Sequence, residues 1–294
     1  MMDFKEILEF EDRIVLKEVR NFELPHIFEC GQCFRWNKLE NGNYIIVAYR
    51  KVIELEKNND DVTIYNATKE DFDNIWCDYF DLKRDYSAIK EELSKDPLLE
   101  KSVEFGHGIR LLQQEPFEIV LSFITSANNR IPMIKRAIEN ISRKFGDELH
   151  YKGETYYAFP TPEQLIKASP EEIESLGVGF RAKYIVDAVD KVYNNIYNLE
   201  EIKALSDNEC HEALKKFNGI GPKVSDCIML FSMGKYSAFP VDVWVKRAMQ
   251  FFYLAPDVSL PKIRIFARDK FGNLSGFAQQ YLFYYARENN IKID

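Results

Sequence analysis

A chain of 294 residues, 46% of them hydrophobic, is long enough for two or three domains around a sizeable core. Its net charge of −8 argues against a simple electrostatic DNA binder, and no apolar run approaches the length of a membrane span. Five scattered cysteines point to a reducing cytoplasm rather than a disulfide framework, and the acidic opening MMDFKEILEFEDR does not read as a secretory signal.

The first hundred residues carry short segments rich in β-branched and aromatic residues: Arg13–Val19, Cys33–Trp36, Tyr44–Tyr49, Val52–Leu55 and Val62–Tyr65. Turn signals at Asn41-Gly42-Asn43 and Asn58-Asn59-Asp60-Asp61 separate them, predicting an antiparallel sheet with hairpins. Helical pattern follows over Glu70–Tyr79 and Asp85–Leu93. From Pro97 onward the pattern is almost all helical, so Asp96-Pro97 marks the expected boundary. The fold class is α+β, with a sheet domain over 1–96, a helical domain over 97–254 and C-terminal helices over 255–294.

Several stretches stand out in chain order. Cys30-Gly31-Gln32-Cys33 has C-x-x-C spacing, but a zinc site needs a second ligand pair and the chain has neither another C-x-x-C nor an H-x-x-x-H. No metal is therefore assigned to it. Pro116 opens a helix with Ile119, Val120, Phe123 and Ile124 on one face, and Asn128-Asn129 beyond it reads by itself as a helix C-terminus. Gly177-Val178-Gly179-Phe180-Arg181 is a glycine turn before another helix. Near the C-terminus, Phe277–Arg287 reads as a helix with Gln279 and Phe283 four apart on one face.

The most informative stretch is Leu214–Gln250. Ser206 and Glu209 form a capping box opening a short helix that ends near Phe217. Asn218-Gly219-Ile220-Gly221 then reads as a hairpin too tight for side chains at both glycines, and Pro222 suits the first turn of the next helix. Outward-pointing amides in such a hairpin make a seat for a phosphate. Between Lys215 and Arg247 six basic residues, Lys246 and Arg247 among them, face only Asp226 and Asp242, a local excess of four positive charges in an acidic chain. Lys223 lies in the first turn after the hairpin, and Asp242 sits where it would cap the following helix. The bland alternative pairs Lys223 with Asp226, three residues on, and leaves Asp242 as a cap alone.

Together, the hairpin, Lys223 and Asp242 nineteen residues later resemble the helix-hairpin-helix DNA glycosylases. Other stretches narrow the resemblance to the 8-oxoguanine DNA glycosylases: Cys30–Trp36, which matches their Ser-Gly-Gln-Ser-Phe-Arg-Trp with both serines replaced by cysteine, the runs Gly108–Glu118 and Ser122–Ile131, and Gly177–Tyr184. The resemblance spans about Phe22 to Arg287 and implies a twisted N-terminal sheet and two helical domains that clasp DNA. It implies a lysine nucleophile, Lys223, that expels the base and forms a Schiff base with the sugar. A lysine at its ordinary pKa of about 10.4 is neutral in roughly one molecule in 2,500 at pH 7, so burial or the nearby Lys215 and Lys216 are expected to lower it. Asp242 would stabilise the positive charge that develops on the sugar.

The same resemblance gives the Gly31 carbonyl the N7–H of the oxidised base, Gln279 its pairing edge, and Phe283 and Cys227 its two faces. Asn128 would fill the gap left by the extruded base, Phe180 would wedge the stack, Arg181 would read the opposite cytosine, and Gly219 and Gly221 would seat the backbone. Met133 stands where well-studied eukaryotic members have a cytosine-reading arginine, predicting a weaker preference for cytosine. Trp244 replaces a phosphate-contacting histidine, and its role stays open. The expected partner is double-stranded DNA containing an oxidised purine, acted on by a monomer away from membranes. No cofactor is expected: Cys227 is the last cysteine, too early for the iron–sulfur cluster of related glycosylases, although a cation on the hairpin carbonyls would be compatible. The alternatives are an alkylated-base (3-methyladenine II type) glycosylase, which lacks the lysine, and a non-catalytic helix-hairpin-helix DNA-binding module.

Overall fold

The structure, a computed structural model, describes residues 3–254 and 257–291. The expected boundary at residues 254–255 and the last three positions lie partly or wholly outside that range. The N-terminal part is a six-stranded antiparallel sheet: β1 (Glu6–Glu9), β2 (Arg13–Lys17), β3 (Trp36–Lys38), β4 (Tyr44–Ala48), β5 (Lys51–Asn58) and β6 (Asp61–Tyr65), in the order β1-β2-β6-β5-β4-β3. The strand expected at Cys33–Trp36 starts instead at Trp36. The preceding residues are held out of the ladder because Gln32 turns inward, donating to the carbonyls of Ile27 and Arg110 and accepting from Leu112 N. β1 carries no strong alternation and is an edge strand that the sequence pattern did not reveal.

In β4, Tyr44, Ile46 and Ala48 face the main sheet core, while Ile45 and Val47 join Val52 on the other face. That second face is covered by a hairpin, β7 (Glu148–Tyr151) with β8 (Glu154–Tyr157), inside the region read as helical. Burial on both faces is why β4 is apolar throughout rather than alternating.

The helices that matter for the site are α1 (Leu24–Phe28), α2 (Tyr86–Leu93), α3 (Pro97–Phe105), α4 (Pro116–Ser126), α5 (Ile131–Phe145), α6 (Ala182–Tyr193), α7 (Asp207–Leu214), α8 (Pro222–Ser232), α9 (Val243–Phe252), α10 (Leu260–Phe271) and α11 (Ser275–Glu288). Their starts follow local chemistry. Asp85 accepts from Ala88 N at 3.1 Å, Asp96 from Leu98 N at 2.9 Å, and the Ser206–Glu209 capping box is formed. α7 ends at Leu214, one turn short of the expected Phe217, as the chain tightens into the hairpin. The stretch from Lys69 to Tyr79 is helical with a π turn over Phe72–Trp76.

One core lies under the sheet and a larger one unites the helices. The segment 109–114 stitches them together. Ile109 and Leu111 belong to the helical core, Leu112 to the sheet core, and the wholly buried Arg110 bonds Asp3 at 2.8 Å and the carbonyls of Phe80 and Asp81. A buried guanidinium is tolerable only when so thoroughly paired, so this junction is rigid.

Candidate active site

Between α4, α8, α9, α11 and the Cys30-Gly31 turn lies a cavity of about 1080 Å³. Lys223, Cys227, Asp242, Gln279, Phe283 and Gly31 all line it, bringing both catalytic candidates and all four base-pocket candidates to one place. Gly31 and Phe283, 252 positions apart, meet here, which sequence periodicity cannot convey.

Lys223 is the second residue of α8, half-buried, with Nζ 5.6 Å from the centre of the Phe123 ring. Asp226 is not its partner. That carboxylate turns the other way and takes a two-point contact from Arg264, at 2.6 and 2.8 Å, with His211 Nε2 at 3.6 Å. The pairing alternative therefore fails, because the Arg264 fork satisfies both oxygens of the buried Asp226 carboxylate. Cys227, one turn after Lys223, has its thiol pushed up to about 12 by burial, against the pull of the neighbouring Lys223 ammonium.

Asp242 both caps α9 and faces the cavity. Its Oδ1 accepts from Trp244 N at 3.0 Å and Val245 N at 2.8 Å, and the residue lines the cavity. Burial raises its pKa, opposed by the Val245 amide, Lys223, the Trp244 amide and Arg287. Gln279 is only 4% exposed, and its Nε2 donates to the Pro240 carbonyl at 3.2 Å. Among the described residues its buried Oε1 has no partner, so the group held ready is an acceptor. The Gly31 φ of +81° favours glycine, and a Cβ there would stand 3.2 Å from the Phe283 ring. The C-x-x-C cysteines diverge: Cys30 joins the helical core and Cys33 the sheet core.

The two hairpin glycines differ. Gly219 has φ +85°, and a Cβ would come within 2.8 Å of the Tyr184 ring, so glycine is required there. Gly221 has φ −93° and open space around it, so the hairpin's tightness does not demand it, contrary to the sequence reading. What it provides is an unobstructed backbone at the head of α8, a geometry that suits an anion. Lys246 and Arg247 are half-buried on α9, with the Arg247 guanidinium 4.9 Å from the Trp244 ring centre.

On the cavity's open side, Asn128 is exposed at φ +52°, a conformation asparagine tolerates, and Met133 is 45% exposed on the first turn of α5. Phe180 is 59% exposed on its glycine turn, a large apolar ring offered to solvent. Arg181 is instead buried. Its guanidinium donates to the carbonyls of Ala127, Asn128 and Val178, so in this state it braces the Asn128 loop against the Phe180 turn. Among the described residues, no group of three or more His, Cys, Asp or Glu gathers as a metal site.

The family model for the N-terminal domain of 8-oxoguanine DNA glycosylases matches residues 14–120, and that of the HhH-GPD superfamily of base excision DNA repair proteins matches residues 121–272. The chain belongs to the HhH-GPD superfamily. A probable N-glycosylase/DNA lyase from Methanothermobacter thermautotrophicus is 32% identical over 72% of this chain and 74% of that protein. The N-glycosylase/DNA lyase of Arabidopsis thaliana is 29% identical over 88% and 76%. A crystal structure of Clostridium acetobutylicum 8-oxoguanine glycosylase/lyase, bound to double-stranded DNA with cytosine opposite 8-oxoguanine, superposes with a TM-score of 0.98. It is 64% identical, covering 99% of this chain and all of that one.

Within this HhH-GPD site, sequence reading passed over Gln280 and Arg287, which line the cavity beside the residues it chose. The available signal was spacing: Arg287 lies one turn beyond Phe283 on α11.

Proposed function

We propose that this enzyme is a base-excision DNA glycosylase that extrudes 8-oxoguanine from duplex DNA, excises it through a Lys223 Schiff base, and then nicks the strand by β-elimination. One observation carries the reading: Lys223 and Asp242 share a cavity with Gly31, Gln279, Cys227 and Phe283. A guanine-type edge presents N1–H and N2–H donors, which suit the orphaned Gln279 Oε1. The oxidised base also carries N7–H, which suits the Gly31 carbonyl, whereas guanine has a bare acceptor at N7 and is repelled. Cys227 and Phe283 supply the two faces of the sandwich.

In the reaction, the Nζ lone pair bonds to C1′ as the C1′–N9 bond breaks, and the base departs with the bonding electrons and takes up a proton. Asp242 stabilises the positive charge that grows on the sugar. The amine sheds a proton, the C1′–O4′ bond opens to an iminium, and loss of a C2′ proton expels the 3′ phosphate. No cofactor is needed. The partner is lesion-bearing duplex DNA, gripped at the amides near Gly219 and Gly221 and by Lys246 and Arg247, with Asn128 and Phe180 filling the opened stack and Arg181 holding both in register. No helix among the described residues is long and apolar enough to cross a membrane, and five buried, unpaired cysteines suit a reducing cytoplasm.

Borohydride trapping on a duplex containing 8-oxoguanine tests the reading. Wild-type protein should become covalently linked to the DNA and Lys223→Gln should not. Trapping by the glutamine variant, or none by wild type, refutes the assignment.

A further inference from the structure

Resting on the Gly31 reading above, we propose that Gln280 and Arg287 of α11 are positioning residues that set lesion specificity by fixing where the Gly31 carbonyl points. A glycine at φ +81° does not by itself hold its peptide plane, and a turn of that plane would swing the carbonyl out of the pocket. The neighbouring carbonyls are each tied down. Arg287 Nη2 donates to the carbonyl of Glu29, Gln280 Nε2 donates to that of Cys30 at 2.7 Å, and Gln114 Nε2 donates to that of Gln32 at 2.9 Å. Among the described residues, nothing donates to the carbonyl of Gly31.

In a run of four carbonyls, three are spent on side chains and the fourth is left at the cavity wall. Gln32 anchors the far end of the run through its own side chain, which bonds Ile27, Arg110 and Leu112. The anchors therefore come from three directions, and two of them arrive from the helix that also carries Gln279 and Phe283. Arg287 additionally sets its guanidinium 5.2 Å from the centre of the Phe283 ring, so one side chain registers the acceptor and the stacking face together. Gln280 is almost wholly buried, 2% exposed, and its side chain donates to the loop, which makes it the cleaner probe.

The clamp acts only on a base that is present. An abasic site engages Lys223 without needing the Gly31 carbonyl, so the clamp is read as a ratio. Gln280→Leu and Arg287→Met should each lower 8-oxoguanine excision, relative to nicking of a preformed abasic-site duplex by the same preparation, by about tenfold or more. Arg287→Lys, which keeps one donor for the Glu29 carbonyl, should recover part of the loss. In a Lys223→Gln background, Gln280→Leu should narrow the preference in binding for 8-oxoguanine duplex over guanine duplex by a similar factor. Abasic nicking that falls in step with excision would mean general damage to the fold and would overturn the proposal. So would an unchanged ratio in Gln280→Leu, even with a loss in Arg287→Met, because the effect would then run through Phe283. Wild-type protein that nicks abasic sites yet excises no 8-oxoguanine would overturn the activity and the clamp together, whereas wild-type-like variants sink the clamp alone.

Discussion

Gly219 and Gly221 look equivalent in sequence, yet alanine should affect them in opposite ways. At Gly219 a left-handed backbone costs an L-residue about 1–2 kcal/mol, and the new Cβ would lie 2.8 Å from Cγ and Cδ2 of Tyr184. Those atoms are at the root of the ring and cannot swing clear as a flexible tip would, so overpacking adds roughly 1–3 kcal/mol. Gly219→Ala should therefore lose about 2–5 kcal/mol of stability. In a chain of this size that lowers the melting temperature by several degrees, roughly 2–4 °C per kcal/mol. At Gly221 the Cβ meets nothing within 4 Å and φ is −93°. Reduced freedom in the unfolded chain favours alanine by a few tenths of a kcal/mol and the poorer N-cap opposes it, for a net change within about 1 kcal/mol. Gly221→Ala should thus melt close to wild type but bind duplex DNA more weakly, because its methyl occupies the approach to the amides. Thermal unfolding and fluorescence anisotropy at two salt concentrations separate the cases. Wild-type melting of Gly219→Ala would refute the steric argument, and full DNA affinity in Gly221→Ala would refute the phosphate seat.

Three further outcomes are expected. Burial holds the Asp242 pKa above that of an exposed carboxylate, so its charge opposes folding at neutral pH and ceases to do so as pH falls below the ordinary carboxylate range near 4. Asp242→Asn should abolish excision yet melt higher at pH 7, with the curves converging in acid; lower melting at pH 7 would contradict the sign. Glu118, buried on α4 with Arg35 Nη1 3.8 Å away, is pushed up to about 7 by burial. Its folded form holds a proton that the unfolded form has lost, so wild-type stability should decline from about pH 4.5 to 7, and Glu118→Gln should flatten that decline in denaturant titrations. Finally, exposed Met133 cannot make a two-point contact with a base edge, so excision opposite C, A, G and T should differ modestly; a strict requirement for cytosine would count against its role.

The proposed catalytic pair could be named from the sequence because lysine and aspartate supply chemistry, and glycine a backbone shape, that few other residues do. The sheet was legible where strands alternate, but β1 and the β7–β8 hairpin were not, since neither forms its own core. That hairpin shows only indirectly, in the unbroken apolar run of β4. At Gln279 the sequence named the residue but not which half of its amide was free, which depends on the Pro240 carbonyl. Arg181 carried a motif and hence a DNA-facing reading, while its buried contacts with the Asn128 loop depend on a neighbour 54 residues away. The Asp226 alternative failed for the same reason: Arg264 lies 38 residues further on.

The bond from Gln280 to Cys30 spans 250 positions, and it has a bearing on how the enzyme comes into being. A polypeptide still emerging from the ribosome at residue 270 already contains Lys223 and Asp242, but none of α11. Nothing yet restrains the turn at its beginning or closes the cavity. On the reading proposed above, discernment between damaged and intact guanine waits on this last helix, which also completes the core around Lys223 and Asp242.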